Sequence, residues 1–190
     1  MARDKSKSGR FGNPRTAHLE TARARLEPWR MEDWRAFHLI STDVEVMRFI
    51  TGGTPWSEAQ TQEFVARQMR HFAGREYCLW KLSLKSSGEL AGFCGIQPLD
   101  GTKEIEIGWW LAKNHWGQGI ATEAAREVSR DAFTRVGLER VVAIARAENS
   151  ASLAVMKKLG MAYERELVHR GIPVVLHSVS KVQWRANSER

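Results

Sequence analysis

Trp116-Gly117-Gln118-Gly119-Ile120-Ala121-Thr122-Glu123-Ala124 is the stretch that decides the fold, because it leads from a strand into a helix through two glycines. Glycine adopts left-handed dihedrals at no steric cost and lets the backbone approach a ligand closely. The residues after Gly119 form the first turn of a helix, where unpaired N–H groups and the positive dipole end attract an anion. A pyrophosphate fits such a loop; a plain turn is the alternative for any G-x-G pair. The third glycine of the dinucleotide fingerprint is missing, and neither the lysine nor the hydroxyl of a P-loop follows. Both nucleotide-binding folds are therefore disfavoured.

Working outward, Glu104 to Leu111 reads as the strand before the loop, and Ile120 to about Val136 as the helix after it. That helix carries an apolar stripe of Ala121, Ala125, Val128, Ala132 and Val136, and Gly137 stops it. Val141 to Ala145 is a buried strand, expected parallel to its predecessor because a helix separates them. Asn149 or Ser150 caps a further helix ending at Gly160, and strands near Met161–His169 and Val174–Val182 meet at Gly171. On the N-terminal side, Cys78–Leu84 and Leu90–Ile96 form a hairpin around Lys85–Glu89. Ser57-Glu58-Ala59-Gln60 is a capping box before a helix with the stripe Val65, Met69, Phe72. Thr42 or Asp43 caps a short helix, Met31–Ile40 is another, and Ala22–Leu26 is a first strand. This order predicts an α/β (α+β) fold with a mixed sheet and helices on both faces. One domain is expected over 21–185, with a basic disordered tail at 1–20 and a short C-terminal tail at 186–190.

Composition limits the function classes. The chain has 190 residues, 43% hydrophobic and 27% charged, the balance of a globular protein. No apolar run approaches the ~18 residues of a membrane span, and the N-terminus lacks the apolar core of a secretory signal. Two cysteines, Cys78 and Cys94, are too few for a disulfide framework; they are expected as buried thiols, and a reducing cytoplasm is the default. The histidines show no ligand spacing, so no metal is expected, though His115 stands next to the glycine loop. Net charge is +7, but residues 1–18 carry +4 of it, leaving +3 on the other 172. Non-specific nucleic-acid contacts by the tail follow from that charge, and nothing beyond them is expected.

The glycine loop after Glu106-Ile107-Gly108-Trp109-Trp110-Leu111 resembles the acetyl-coenzyme A loop of the GNAT superfamily of N-acetyltransferases. Asn149-Ser150-Ala151-Ser152-Leu153-Ala154-Val155-Met156-Lys157-Lys158-Leu159-Gly160-Met161 is similar to that superfamily's later motif. With Leu26-Glu27-Pro28-Trp29 and Gly88-Glu89-Leu90-Ala91-Gly92, the resemblance is to the branch holding the ribosomal-protein-alanine N-acetyltransferases, over about residues 20–182. It implies a mostly antiparallel sheet with a central, splayed parallel pair. It also implies acetyl-coenzyme A as co-substrate and an amine acceptor, either a protein N-terminus or a small amine. On that resemblance the pyrophosphate rests on Gly117, Gln118, Gly119, Ile120, Ala121 and Thr122, with Trp116 at the loop's start. The pantetheine arm pairs with the backbone of Trp109, Trp110 and Leu111, and Asn149 and Ser152 face the cofactor. Where many members carry a general-acid tyrosine this chain has Met156, which donates no proton; Ser152 is that branch's usual substitute.

An acceptor amine must lose a proton before it attacks a thioester. Glu104 and Glu106 lie one strand period apart and share a face, so either can serve as base in a partly apolar cleft. Both can equally be solvated strand residues, and Ser152 a helix-start hydroxyl bonded to backbone. A non-catalytic acyl-coenzyme A sensor and a basic nucleic-acid-binding protein stay open as alternatives. So do a homodimer and the identity of the acceptor.

Overall fold

The computed structural model describes residues 18–188. The basic residues 3–15 of the expected tail, and residues 189–190, lie outside the described residues. Eight strands form one sheet in the order β1-β2-β3-β4-β5-β6-β8-β7. They are β1 (Leu19–Glu20), β2 (Ala24–Glu27), β3 (Leu79–Leu84), β4 (Leu90–Pro98), β5 (Ile105–Leu111), β6 (Arg140–Ala145), β7 (Ala162–His169) and β8 (Ile172–Ser180). The helices are α1 (Trp34–Ser41), α2 (Val44–Met47), α3 (Glu58–Arg75), α4 (Ile120–Thr134), α5 (Ser150–Lys158) and α6 (Lys181–Ser188). Every neighbouring strand pair is antiparallel except β5 and β6, which run parallel across the α4 crossover.

Alternation along β3 and β4 divides the core between the two sheet faces. Cys78, Trp80, Leu82 and Cys94 pack with Ala124, Ala125, Val128 and Met156 from α4 and α5. Leu79 and Phe93 pack on the other side with Trp29, Phe37, Phe64 and Val65. The two cysteines are free and fully buried.

Local signals act as expected at the helix starts. Asp43 caps α2 by accepting from the Glu45 N–H at 2.8 Å. Both halves of the Ser57–Gln60 capping box form. The inward face of α3 differs from the expected Val65-Met69-Phe72 stripe: Phe64, Val65 and Gln68 are buried and Met69 is exposed. Tertiary contact with β3 and β4 rotates the helix to seat Phe64 in the aromatic cluster and Gln68 on a strand backbone. Leu19 and Glu20, expected in the tail, pair with β2. The last strand ends at Ser180 rather than Val182, and α6 follows it into the stretch expected as tail, with Trp184 against Phe133 at 5.2 Å between ring centroids.

The sheet opens in its middle. β5 pairs with β4 along its whole length, from Pro98↔Ile105 to Gly92↔Leu111. Against β6 it makes one register pair, Glu106↔Val142. Gly92 closes the far end of the β4–β5 ladder at φ +146°, and a Cβ there would sit 2.0 Å from the Trp110 carbonyl oxygen. Only glycine allows that approach. Gly92→Ala should therefore destabilise the fold by about 3 kcal/mol through overpacking and backbone strain, read as a lower urea midpoint at unchanged slope.

Candidate active site

The divergence of β5 from β6 leaves a cleft of about 770 Å³. One wall is Glu106 to Leu111 of β5; the other is Ile144, Ala145 and Arg146 with Asn149 and Ser152 of α5. The glycine loop closes one end. Gly117 and Gly119 both have left-handed φ, 71° and 79°, and Gly119 is the N-cap of α4 with no side-chain cap. The first N–H groups of α4 are thus left to the cleft. Trp116, Gly117, Gly119, Ile120, Ala121 and Thr122 line it.

Two contacts hold the loop in place. The Trp116 indole N–H donates to the Leu111 carbonyl at 2.8 Å and ties the loop to the end of β5. Arg23 of the short segment before β2 donates from its backbone and its Nε to Glu123, at 2.9 and 2.7 Å, and from Nη1 to the Gln118 carbonyl at 2.9 Å. Gln118 itself does not line the cleft; its side chain turns back to the Asn114 carbonyl at 2.8 Å.

Asn149 caps α5 by accepting from the Ser152 N–H at 3.1 Å. The Ser152 backbone is therefore the capped group. Its side chain lines the cleft, and its hydroxyl has no hydrogen bond among the described residues. Met156 is fully buried in the α4–α5 core and does not line the cleft. Helical spacing alone puts residues 152 and 156 one turn apart on the same face, yet Ser152 lines the cleft and Met156 is buried in the core. A tyrosine at 156 would have to overpack the core.

β5 starts at Ile105 rather than Glu104, and the two candidate carboxylates have different surroundings. Glu106 lines the cleft and accepts from Gln97 Nε2 at 2.6 Å. Gln97 is oriented in turn by Gln68, whose Nε2 donates to Gln97 Oε1 at 3.1 Å. Gln68 Oε1 accepts from the Leu79 N–H at 3.0 Å. This chain runs from a strand backbone to one carboxylate oxygen and fixes its direction. Burial pushes the Glu106 pKa above the ordinary carboxylate value, with the Gln97 bond pulling the other way. Glu104 is in contact with Arg140, at 3.2 and 3.3 Å, and lies outside the cleft.

The same cleft has an aromatic side. Trp110 packs on Trp56 and Phe93 with ring centroids 5.0 and 5.1 Å apart. Trp109 lines the cleft while packing against the opposite core. His115 also lines it, with its ring beside Glu89 at 3.4 Å. Arg67, Asp100, His169 and Arg170 also line the cleft. Gln97, Arg23, Arg67 and Arg170 escape a reading of the sequence: each is one polar residue in an ordinary strand, helix or turn, and only the fold brings Arg23 to the glycine loop and the other three to the cleft. Among the described residues no cluster of three or more His, Cys, Asp or Glu could hold a metal, and no helix is long and apolar enough to cross a membrane.

A family model described as acetyltransferase (GNAT) domain matches residues 23–162. The chain is 32% identical over 162 residues to YkkB, an uncharacterized protein of Bacillus subtilis, covering 84% of this chain and 93% of that protein. It is 28% identical over 182 residues to an Aspergillus fumigatus protein named FsC-acetyl coenzyme A-N(2)-transacetylase, covering 87% of this chain and 77% of that one. The crystal structure of a GNAT-family acetyltransferase from Bacillus anthracis superposes with a TM-score of 0.73 at 25% identity, covering 87% of this chain and 99% of that chain.

The raised pKa of Glu106 has a thermodynamic sign. A carboxyl whose folded pKa exceeds its unfolded value holds its proton more tightly in the folded state. The penalty on folding builds as the pH rises from the unfolded pKa to the raised one, is complete above it, and vanishes below the unfolded pKa. Glu106→Gln should raise Tm at about pH 8 and leave it unchanged at about pH 3.5. A calorimetric scan at both values reads this directly, with Gln97 still able to donate to the new amide oxygen.

Proposed function

The chain belongs to the GNAT acetyltransferase family, and we propose that it transfers an acetyl group from acetyl-coenzyme A to a primary amine by direct attack on the thioester. The observation that carries this reading is the free edge of β5 beyond Glu106, open toward the glycine loop at one end and bounded by a desolvated carboxylate at the other. Peptide groups of Trp109 to Leu111 on that edge can pair with the amides of a pantetheine arm as a further strand would. Gly117 to Thr122 then meet the pyrophosphate with backbone N–H groups and the positive end of α4, held by Arg23 and Trp116.

Within that arrangement Glu106 takes the proton of the attacking amine, directly or through a water. Its raised pKa matches it to this work, since a base is best poised near the operating pH. A backbone N–H of β5 donates to the oxyanion as the carbonyl becomes tetrahedral. Ser152 places an otherwise uncommitted hydroxyl on the facing wall, and we assign it to holding or relaying a proton to the departing thiolate. Glu104 is left out of the chemistry because Arg140 occupies both its oxygens. A sensor that only bound the thioester would have no use for a carboxylate oriented by Gln68 and Gln97.

Three substitutions test the assignments. Gly119→Val forces a branched side chain onto a left-handed position beside the pyrophosphate and should weaken coenzyme A binding at least tenfold by calorimetry, in a folded protein. Glu106→Gln should lower kcat far more than coenzyme A affinity, with Glu104→Gln near wild type. Ser152→Ala should lower kcat about 10- to 100-fold, or about 1.4–2.7 kcal/mol, with an acceptor for which chemistry is limiting.

A further inference from the structure

On the acetyl-transfer reading the acceptor sits in the cleft against Glu106, and the charged groups that line the cleft are unequally engaged. Arg170, on the turn between β7 and β8, pairs with Asp100. Glu106 is bonded to Gln97. Burial lowers the pKa of His169, which leaves that ring neutral near pH 7. Arg67, reaching in from α3, has no hydrogen bond or ion pair among the described residues. Its guanidinium carbon lies 5.7 Å from the centroid of the Phe64 ring, and its Nε is buried without a partner.

A buried donor without a partner is rare in folded proteins, and a guanidinium is never uncharged at physiological pH. Its planar fork of N–H groups fits a carboxylate through two parallel bonds. Resting on the acetyl-transfer reading above, we infer that the acceptor is an amine carrying a carboxylate close to the reacting nitrogen, and that Arg67 binds that carboxylate. The amine then faces Glu106 while the carboxylate faces Arg67. Each end of such a zwitterion meets the opposite charge, and the two side chains are close enough for their charges to influence each other. Trp56 and Trp110 add apolar surface to the same cleft. A polyamine would instead bring a second cation beside the Arg67 guanidinium, which selects against it.

Two sources offer this chemistry: the α-carboxylate of a free amino acid, and the acidic side chain next to a peptide N-terminus. Matched probes separate them. Serine is compared with serinamide, and Ser-Asp-Ala-Ala amide with Ser-Asn-Ala-Ala amide; spermidine is the cationic comparison. Binding to the full chain is measured by calorimetry with and without coenzyme A, and transfer is measured with acetyl-coenzyme A. In at least one pair the carboxylate member should bind at least tenfold more tightly and show a lower KM at similar kcat, and that pair names the source. Arg67→Gln should abolish the difference, and Arg67→Lys should retain part of it. Arg70→Gln, on the same helix but exposed and paired with Glu63 at 2.6 Å, should preserve it. Removing this half-buried guanidinium, which makes no hydrogen bond or ion pair among the described residues, should leave Tm unchanged or higher, whereas a structural role for Arg67 would lower it.

Equal binding within both pairs overturns the inference. So does a preference that survives Arg67→Gln, or tighter binding of spermidine than of either carboxylate probe. Acetylation of the amide probes without a carboxylate preference removes the Arg67 assignment alone. A carboxylate preference dependent on Arg67 in a protein that binds no coenzyme A removes the transfer reading and keeps the assignment.

Discussion

One missing ladder governs the rest of the molecule. β5 and β6 share a single register pair, Glu106↔Val142, while each is fully paired with its other neighbour. Backbone donors and acceptors in a sheet interior are normally satisfied by the next strand. Here the edge of β5 past Glu106 has no strand beside it, so a ligand with amide groups can take that place. The cleft, the exposure of the loop and the position of Glu106 at the apex of the opening all follow from this divergence. The divergence is itself stabilised from both sides, by the tight β4–β5 approach at Gly92 and by the β6–β8 ladder.

The site combines rigid support with incomplete satisfaction. Three elements fix one carboxylate oxygen: the Leu79 backbone on β3, Gln68 on α3 and Gln97 on β4. Three others fix the loop: Arg23 beside β2, Leu111 on β5 and Glu123 on α4. Against that support, the first turn of α4 is uncapped, the Ser152 hydroxyl is uncommitted, and Arg67 keeps a buried donor without a partner. Groups left unsatisfied in this way reduce stability, and they occur together where a ligand would complete them.

Charge in the cleft is likewise arranged by the fold and not by local sequence. Asp100 follows β4, and Arg170 lies on the turn between β7 and β8, 70 residues along the chain, yet the two pair. Asp100 bonds to Arg170, while its charge also acts on Arg67 without a hydrogen bond between them. Arg140 similarly occupies Glu104 from the neighbouring strand and leaves Glu106 as the carboxylate open to the cleft. Glu106 on β5 and Glu104, one residue before that strand begins, thus acquire different environments.

Much of this was legible in the chain itself, because the signals are local. Glycines at 117 and 119 mark left-handed turns, Ser57 with Gln60 and Asp43 mark helix starts, and period-2 alternation marks β3 and β5. The helix between β5 and β6 requires a crossover, and hence a parallel pair. Those features fix the order of elements, the loop and the pair of candidate carboxylates without any knowledge of tertiary contact. The separation of Glu106 from Glu104 depends on Arg140, 34 residues after Glu106, and the separation of Ser152 from Met156 depends on which face of α5 the core takes. The rotation of α3 that buries Gln68 and directs Arg67 to the cleft depends on β3 and β4. No periodicity encodes these outcomes, since each is set by which side chains from distant parts of the chain compete for the same space and the same hydrogen bonds.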